Sequence, residues 1–534
     1  MKILGGKSAE PNWLCAVAGA LMLGGPVWHY LYVNHYPFGR AEAIVLPGAA
    51  ALIGAALAVL GHRVGGWLES LCFGSLLYVF QDLQLDLHDR TYAIAILGSC
   101  IALAAVFRRR RAALTSIMLG TFYLASLPRS AAIPVPRSLA NAQGSPELPV
   151  LVHVILDEQW GIGGLRAEGD TGTATFLSDF YRKRGFEVYE AAYSRYRQTR
   201  ESIPAALSLG HPLRFNEKSI APAYNRSLQA IPYFEDLRRR GYAIHVYQST
   251  YLDFCHVAGV PVASCETRPG NSIANIGLLH GDWTKRAVLA GRYFLIVTSH
   301  LYQRLHPGGS PESRSSNAGG GLNVLEQVRD AIIRRPTGGT MFFVHALLPH
   351  RPVQLDAKCD AVSDPSLRDA AFKRIQRSDS SWQAELINFG GQIRCTHRVI
   401  AEILDALDST VSREGSIVII HGDHGSRMHQ DIPNDVLSEM SLRDLNGRFS
   451  TLLAVRRPGV PPTIQSEPVP VQDFLWELAR NDFKGVVRQP WRHFVRDRAR
   501  DSIGTELERS LAEAEMLWVR APTRALADSS PQHY

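Results

Sequence analysis

Long apolar runs are concentrated in the first quarter of the chain. Five of them cover residues 13–32, 41–60, 67–80, 92–107 and 112–127. A helix needs about 20 apolar residues to cross a bilayer, so the third and fourth runs would need their flanking residues as well. We predict a bundle of about five transmembrane helices within residues 1–128. A cleavable signal peptide fits poorly, because its single apolar region would not be followed by four more.

Basic residues between these runs indicate how the bundle lies in the membrane. Lys2 and Lys7 precede the first run, Arg63 follows the second, and residues 108–111 form an arginine block after the fourth. Cytoplasmic loops carry an excess of Lys and Arg, and with five crossings these three places lie on one side. We therefore predict a multi-pass protein of the inner (cytoplasmic) membrane, with everything after about residue 128 on the outer, periplasmic side.

After the bundle, short β-branched runs alternate with segments of helical spacing. Residues 129–147 are rich in Pro, Ser and Ala, as is typical of a linker. Strands are predicted at 149–156, 243–249, 340–348, 416–422 and 450–457, helices at 227–241 and 395–409, and a loop at 307–321. The alternation favours an α/β domain with a mostly parallel central sheet, which we place at 148–480. We predict a helical extension at 481–534.

Acidic and imidazole side chains follow two of the predicted strands. The first strand ends in Asp157-Glu158, and the run SIVII is followed by His421-Gly422-Asp423-His424-Gly425. In parallel sheets, sites form outside the carboxyl ends of the strands. Carboxylate and imidazole together suit Zn²⁺ or Mn²⁺, so the sequence predicts a divalent metal site here. An Asp-His pair by itself can also cap a turn. His345 and His421 are expected in the core or behind the ligands.

A hydroxyl-bearing segment, YRQTRESIPAALSLG at 196–210, lies between these two strands in the chain. Ser202 precedes Pro204 and a run of small residues, and it fits the N-cap of a helix. Thr199 is then left to point into a site. A threonine hydroxyl is a weak nucleophile unless a base or a metal activates it, so the predicted metal site would give Thr199 a chemical role.

The motifs ILDE, QTRESIP and GDHG together resemble the sulfatase-like branch of the alkaline phosphatase superfamily. Within it, the chain is most similar to membrane-anchored phosphoethanolamine transferases and lipoteichoic acid synthases. In those families a serine follows the threonine three residues on, and in the transferases a proline comes two later, as with Thr199, Ser202 and Pro204. The resemblance covers about residues 148–480 and implies an alkaline phosphatase/sulfatase-like domain after a helical bundle.

The resemblance also implies roles for individual residues. The metal ligands would be Asp157 or Glu158, Thr199, Asp423 and His424. Thr199 would also be the covalent nucleophile. His350, in LLPHRP, and His429 would bind the transferred phosphoryl group or the acceptor.

Two departures from the relatives limit what can be carried over. The transferases and synthases usually have Glu without a preceding Asp at the end of the first strand, so Asp157, Glu158 or both could be the ligand. Formylglycine sulfatases need an Arg where this chain has Ala206, which argues against that class.

The resulting hypothesis is a metal-dependent, membrane-anchored transferase. It would move a phosphoethanolamine or phosphoglycerol type of group from a phospholipid donor to an envelope glycan or lipid through a threonine intermediate. A hydrolase of sulfate, phosphate or phosphonate esters, and a non-catalytic envelope assembly protein, remain as alternatives. The net charge of +7 suits a protein beside an anionic leaflet. No basic stripe interleaved with aromatic residues indicates nucleic-acid binding.

The seven cysteines divide between the two parts of the chain. Three fall in the apolar runs, where a free thiol behaves as a small apolar group. The other four are Cys255, Cys265, Cys359 and Cys395. An even number in an oxidising compartment predicts two bridges, and we predict Cys255–Cys265 and Cys359–Cys395, with other pairings left open by the sequence.

Overall fold

Helices and strands follow the pattern of apolar residues described above. The structure is a computed structural model that describes residues 10–84, 90–107, 110–126, 143–211, 215–216, 227–228, 230–257, 261–270, 272–305, 317–334, 336–362, 379–426, 437–486, 492–498 and 506–511. Two compact units are formed, the first by Met1–Ala132, Asn271–Ser316 and Ala361–Pro365, and the second by the rest of the chain.

The helices are α1 Asn12–Val33, α2 Glu42–Val64, α3 Gly66–Gln84, α4 Arg90–Val106, α5 Arg111–Ser126, α6 Ile162–Ala167, α7 Thr171–Lys183, α8 Thr199–Leu207, α9 Pro232–Arg239, α10 Ile273–Leu278, α11 Trp283–Thr298, α12 His300–Leu305, α13 Asn317–Ile333, α14 Asp379–Thr410, α15 Leu442–Phe449 and α16 Val471–Arg480. The strands are β1 Val150–Leu156, β2 Glu187–Tyr189, β3 Ala192–Tyr193, β4 Phe215–Asn216, β5 Ser227–Leu228, β6 Ala243–Ser249, β7 Ser264–Arg268, β8 Thr340–Ala346, β9 Ser416–Gly422, β10 Leu453–Arg456, β11 Thr463–Gln465, β12 Val469–Pro470, β13 Phe494–Arg498 and β14 Glu506–Ser510.

Each of the five apolar runs near the N-terminus forms a helix, α1 to α5. Among the described residues, α1 and α2 are long and apolar enough to cross a membrane. These two helices touch backbone to backbone at Gly19 and Gly54, where a Cβ on either residue would collide with the carbonyl of the other. Small residues at the contact are typical of helices that pack within a bilayer.

Three later helices belong to this first unit, although the sequence pattern placed their residues within the outer domain. Helices α10 to α12 are part of Asn271–Ser316. Arg286 of α11 donates its Nε–H to Glu42 of α2 at 2.7 Å. Ser299, before α12, donates to Asp82 of α3 at 2.6 Å. Two buried acids of the apolar helices therefore hold this segment by charge and hydrogen bonding.

The second unit contains an eight-stranded sheet with the order β11-β2-β10-β9-β1-β8-β6-β7. Strand β1 lies at its centre and runs parallel to both β8 and β9. Strands β6 and β7 continue the parallel part, and β10 is antiparallel to β9. Every residue of β1, β8 and β9 is buried, as expected for parallel strands covered on both faces. The predicted α/β class and all five predicted strands are confirmed.

The strand register decides where the polar residues after the strands come together. Leu156 at the end of β1 pairs with Ala346 of β8 on one side and with Gly422 of β9 on the other. Because the three parallel strands end level, the residues that follow β1 and β9 share one edge of the sheet.

Three expectations about secondary structure differ from the structure. The last five residues of the predicted loop at 307–321 begin α13, while residues 306–316 lie outside the described part. The predicted helix at 227–241 begins only at Pro232, because its first residues form β5. The described part of the predicted C-terminal helical extension contains the antiparallel pair β13 and β14. Opposite charges at Arg496 and Glu508, 3.0 Å apart across this pair, favour strands over helix.

Both predicted disulfides are present. Cys255 is bonded to Cys265, and Cys359 to Cys395. The three cysteines of the apolar helices, Cys15, Cys72 and Cys100, are free.

Candidate metal centre

Three ligand-type side chains converge at the carboxyl edge of the sheet. Asp157 follows β1, and Asp423 and His424 follow β9. Each offers one oxygen or nitrogen atom that lies within 4.8 Å of the other two, and all three residues are buried. Two buried carboxylates this close repel each other unless a cation or a proton lies between them. The cluster therefore has the character of a metal site.

The hydroxyl of Thr199 completes this cluster. Its Oγ1 lies 3.2 Å from Nε2 of His424 and 3.4 Å from Oδ1 of Asp157. Thr199 is the first residue of α8, so the positive end of the helix dipole lies at the hydroxyl. The structure thus brings Thr199 together with Asp157 and His424.

Ser202 is not the helix N-cap that the sequence predicted. Gln198 is the N-cap of α8, and Ser202 lies inside the helix. The Ser202 hydroxyl donates to the main-chain carbonyl of Asp423 at 2.5 Å. Ser202 therefore ties the helix that carries the nucleophile candidate to the strand end that carries the ligands.

The chemistry of its neighbours decides which nitrogen of His424 faces the site. Nδ1 lies 2.7 Å from the carbonyl oxygen of Gly425. A carbonyl only accepts hydrogen bonds, so Nδ1 carries the proton and the lone pair of Nε2 points at the cluster. Only glycine fits at position 425, because a Cβ there would lie 2.5 Å from the carbonyl oxygen of Gly447.

One carboxylate oxygen of the cluster lacks the hydrogen bonds that burial requires. Oδ1 of Asp423 accepts from the amides of His424 at 2.8 Å and of Glu158 at 3.0 Å. Oδ2 is buried without a hydrogen-bond partner among the described residues. A buried charged oxygen is costly unless it is paired or coordinates a metal. Two carboxylates, one imidazole and one hydroxyl form a donor set that fits Zn²⁺ or Mn²⁺.

Glu158 points elsewhere, although the sequence left it equal to Asp157 as a ligand candidate. Its backbone has a φ of 58°, a left-handed conformation that is uncommon for residues other than glycine. The carboxylate accepts from the main-chain amide and the Nε–H of Arg351, at 3.2 and 3.4 Å. The structure thus brings Asp157 into the cluster and pairs Glu158 with Arg351.

His350 lies next to this ion pair. Its Nε2 is 3.8 Å from Oε1 of Glu158, and its Nδ1 faces the carbonyl of Arg351. Gln392 of α14 donates to the carbonyls of Pro349 and His350, at 2.9 and 3.1 Å, and so holds the loop. His350 is about a quarter exposed, so a substrate can reach it. His429, the other residue predicted to bind substrate, lies outside the described residues.

Arg351, Gln392 and His153 lie near the site but were not predicted from the sequence. Arg351 is part of LLPHRP, in which only the histidine was given a role, and Gln392 lies in no quoted motif. His153 is a polar residue within an apolar run, which is itself a signal. His345 was expected in the core or behind the ligands, and its Nε2 lies 3.9 Å from Oδ2 of Asp157. Burial lowers the pKa of His345 to about 4.

The similarity of this chain to known proteins is found among solved structures. No family model and no curated protein sequence matches it. Among solved structures, it is similar to a phosphonate monoester hydrolase of Agrobacterium radiobacter, with 15% identity over 65% of this chain and 79% of that one and a TM-score of 0.40. It is similar to the C-terminal periplasmic domain of EcEptC from Escherichia coli, with 11% identity over 71% and 96% and a TM-score of 0.40. BT1596, a 2-O GAG sulfatase, matches at 14% identity over 64% and 72% with a TM-score of 0.39.

All three are at most 15% identical to this chain. Their TM-scores are below 0.5, which is too low for the likeness to carry a functional argument. What the site does is therefore inferred from its own side chains.

Proposed function

We propose that this protein is a metal-dependent phospho-group transferase of the sulfatase-like branch of the alkaline phosphatase superfamily. One observation carries the proposal. The hydroxyl of Thr199 stands at the N-terminus of α8, 3.2 Å from His424 and 3.4 Å from Asp157, in the cluster that Asp423 completes. An alcohol among such ligands is the arrangement that an activated nucleophile requires.

Asp157, Asp423 and His424 would hold the metal, with Thr199 as a further ligand. When bound, a divalent ion there lowers the pKa of a coordinated hydroxyl and screens the charge of phosphoryl oxygens. The acceptor carbonyl of Gly425 keeps the proton of His424 on Nδ1, so Nε2 is available as a ligand. The hydrogen bond from Ser202 to Asp423 holds the nucleophile and the ligands at a constant spacing.

Thr199 then attacks the phosphorus of the donor. The Thr199 O–P bond forms, the bond from phosphorus to the leaving alkoxide breaks, and the hydroxyl proton of Thr199 is lost to solvent. The leaving alkoxide takes up a proton, for which His350 is our candidate donor. In a second displacement the acceptor O–P bond forms and the Thr199 O–P bond breaks, while the acceptor hydroxyl loses its proton and the Thr199 oxygen takes one up. The positive end of the α8 dipole stabilises the phosphoryl oxygens in both steps.

The donor that we propose is a glycerophospholipid, with diacylglycerol as by-product and an envelope glycan or glycolipid as acceptor. The first unit supports a membrane location. The α1–α2 connection and the end of α3 are the ends that the distribution of basic residues places outside. At the first end, Tyr36 donates to Glu42, which binds Arg286 of α11, and at the second end Asp82 binds Ser299 before α12. The α10–α12 segment, which lies between β7 and α13 in the chain, is thus bound by residues at ends assigned to the outer side.

The test uses the full chain in liposomes that contain labelled phosphatidylethanolamine or phosphatidylglycerol. We expect release of diacylglycerol that depends on added Zn²⁺ or Mn²⁺, and transfer of label to a glycan acceptor. Thr199→Ala should release none, and Thr199→Ser should keep part of the activity because it keeps a hydroxyl. Cleavage of soluble p-nitrophenyl esters without any release of diacylglycerol would replace the transferase with a hydrolase. Absence of both activities in the metal-loaded protein would leave the non-catalytic alternative.

A further inference from the structure

Three buried polar rings form a chain of hydrogen bonds behind the metal centre. The hydroxyl of Tyr233 in α9 lies 3.1 Å from Nδ1 of His153 in β1. Nε2 of His153 lies 2.9 Å from Nε2 of His421 in β9. Nδ1 of His421 lies 2.8 Å from the carbonyl oxygen of Gly422. All three side chains are at most 3% exposed.

The contact between His421 and Gly422 determines which ring nitrogen carries the proton in each of the two histidines. The carbonyl of Gly422 only accepts, so Nδ1 of His421 carries a proton and its Nε2 is the acceptor. His153 must then donate from Nε2, and its Nδ1 accepts from the hydroxyl of Tyr233. The hydrogen bonds therefore all run in one direction, from α9 through β1 to the end of β9. Burial lowers the pKa of His153, in keeping with a neutral ring.

The sequence His421-Gly422-Asp423-His424-Gly425 uses the same contact twice. Both histidines donate Nδ1–H to the carbonyl of the glycine that follows them. His424 thereby turns its Nε2 towards Thr199, whereas His421 turns its Nε2 towards His153. The repeat thus joins the chain of rings to the candidate metal ligands through one residue, Gly422.

Gly422 is held closely on its other side as well. A Cβ at this position would lie 2.5 Å from the carbonyl oxygen of Gln159 and would collide with the hydroxyl of Thr451. The amide of Gly422 donates to the carbonyl of Leu452 at 3.0 Å. Gly422 is therefore held by contacts on both its N–H and its C=O.

We propose that His153 and His421 are positioning residues for the metal centre. By holding the carbonyl of Gly422, they set the direction in which Asp423 and His424 leave β9. The inference rests on the proposed function only in taking Asp423 and His424 as metal ligands. His153 also packs edge-to-face against Phe343, with ring centroids 5.5 Å apart. If the two histidines only filled the core, any ring of similar size could replace them.

The proton positions are tested by ¹⁵N NMR of the full chain with labelled histidine. We expect His421 and His424 to carry their proton on Nδ1 and His153 on Nε2. Signals are assigned by their loss in His421→Phe and His153→Phe. A proton on Nε2 of His421 in the wild-type protein would overturn the proposal, because the bond to Gly422 could not then exist.

The positioning role is tested by the affinity for Zn²⁺, measured by competition with a chelator and without substrate. His421→Phe keeps a ring but loses the hydrogen bonds, and we expect its affinity to fall about 10-fold or more, as for other groups that orient metal ligands. His397→Phe is the matched control. His397 is an equally buried ring between the hydroxyl of Tyr181, at 2.9 Å, and the carbonyl of Ile393, at 2.8 Å. It should lose stability and keep its affinity.

The outcomes separate this inference from the proposed function. Wild-type affinity in folded His421→Phe would reject the positioning role and leave the metal site intact. Wild-type protein that binds no Zn²⁺ would reject the metal site itself. If His421→Phe does not fold, Tyr233→Phe is measured in its place, because it removes the hydroxyl at the far end of the hydrogen-bonded rings. The proton positions in the wild-type protein still test the positioning role.

Discussion

Adjacent acidic residues at the end of β1 take different directions. Asp157 points into the cluster with Asp423 and His424, while the left-handed backbone at Glu158 carries its carboxylate to Arg351. A metal at this edge would be bound by Asp157, and Glu158 would act beside it by fixing Arg351.

Replacing each acid by its amide tests this division. Asp157→Asn should lose most of the bound metal after dialysis, because a neutral amide is a poorer ligand and leaves Asp423 alone. Glu158→Gln should keep metal in equimolar amount while it loses the ion pair with Arg351. Elemental analysis of the purified full chains measures both. Loss of metal in Glu158→Gln with retention in Asp157→Asn would reverse the ligand assignment.

At the scale of elements, the site depends on how α8, β1 and β9 meet. The parallel register of β1 and β9 brings their ends level, and the Ser202 bond attaches α8 to β9. Away from the site, α7 and α14 are joined by a similarly buried polar contact. The hydroxyl of Tyr181 bonds to Nε2 of His397 at 2.9 Å.

The contact between α7 and α14 predicts a dependence of stability on pH. Burial lowers the pKa of His397 to about 4, whereas an unfolded histidine has a pKa of about 6.5. The unfolded chain binds the proton more readily, so this stability is present above about pH 6.5 and is lost as pH falls towards 4. Between pH 7 and pH 5 the loss from this residue is about 2 kcal/mol. Urea unfolding of His397→Phe should show a correspondingly smaller loss than wild type, and equal losses would contradict the account.

The elements that the sequence predicted well are those whose pattern is long and repetitive. The apolar runs of β1, β8 and β9 and the five N-terminal helices needed no tertiary information. Strands β2 and β11 have three residues each and form only because β2 pairs with β11 on one side and with β10 on the other. The paired charges of β13 and β14 are separated in the chain, so their local pattern did not distinguish strand from helix.

In the candidate site, too, the residues that a sequence pattern marks were predicted, and the features that depend on the folded structure were not. Asp157, Thr199, Asp423 and His424 were predicted because strand ends and a motif mark them. The direction of Glu158 depends on one backbone angle, and the hydrogen bond of Ser202 depends on where α8 begins. Neither feature follows from the spacing of residues in the sequence, so neither could be predicted from it.

At the scale of the whole molecule, the chain combines an apolar helical unit with an α/β unit that carries both disulfides. Disulfides persist where the environment is oxidising, in agreement with the outer side proposed for this unit. The bridges span 10 and 36 residues. By chain entropy, they stabilise the folded state by about 3 and about 4 kcal/mol.

Counting thiols tests this division of the cysteines. Protein purified without reductant and denatured in urea should expose three reactive thiols, Cys15, Cys72 and Cys100, and reduction should raise the number to the seven in the sequence. Reduction should also lower the urea midpoint of the folded chain. Seven reactive thiols before reduction would contradict both bridges and the outer location.

The central claim is that Thr199 is a nucleophile that carries the transferred group. The most direct measurement is the intact mass of the full chain after incubation in liposomes with phosphatidylethanolamine and metal but without acceptor, followed by peptide mapping. We expect a phosphoethanolamine adduct on Thr199 in the wild-type protein, none on Thr199→Ala, and an adduct at the same position on Thr199→Ser. Turnover should fall at least about a thousandfold in metal-loaded Thr199→Ala. Wild-type turnover in folded Thr199→Ala, or an adduct on another residue, would contradict the account.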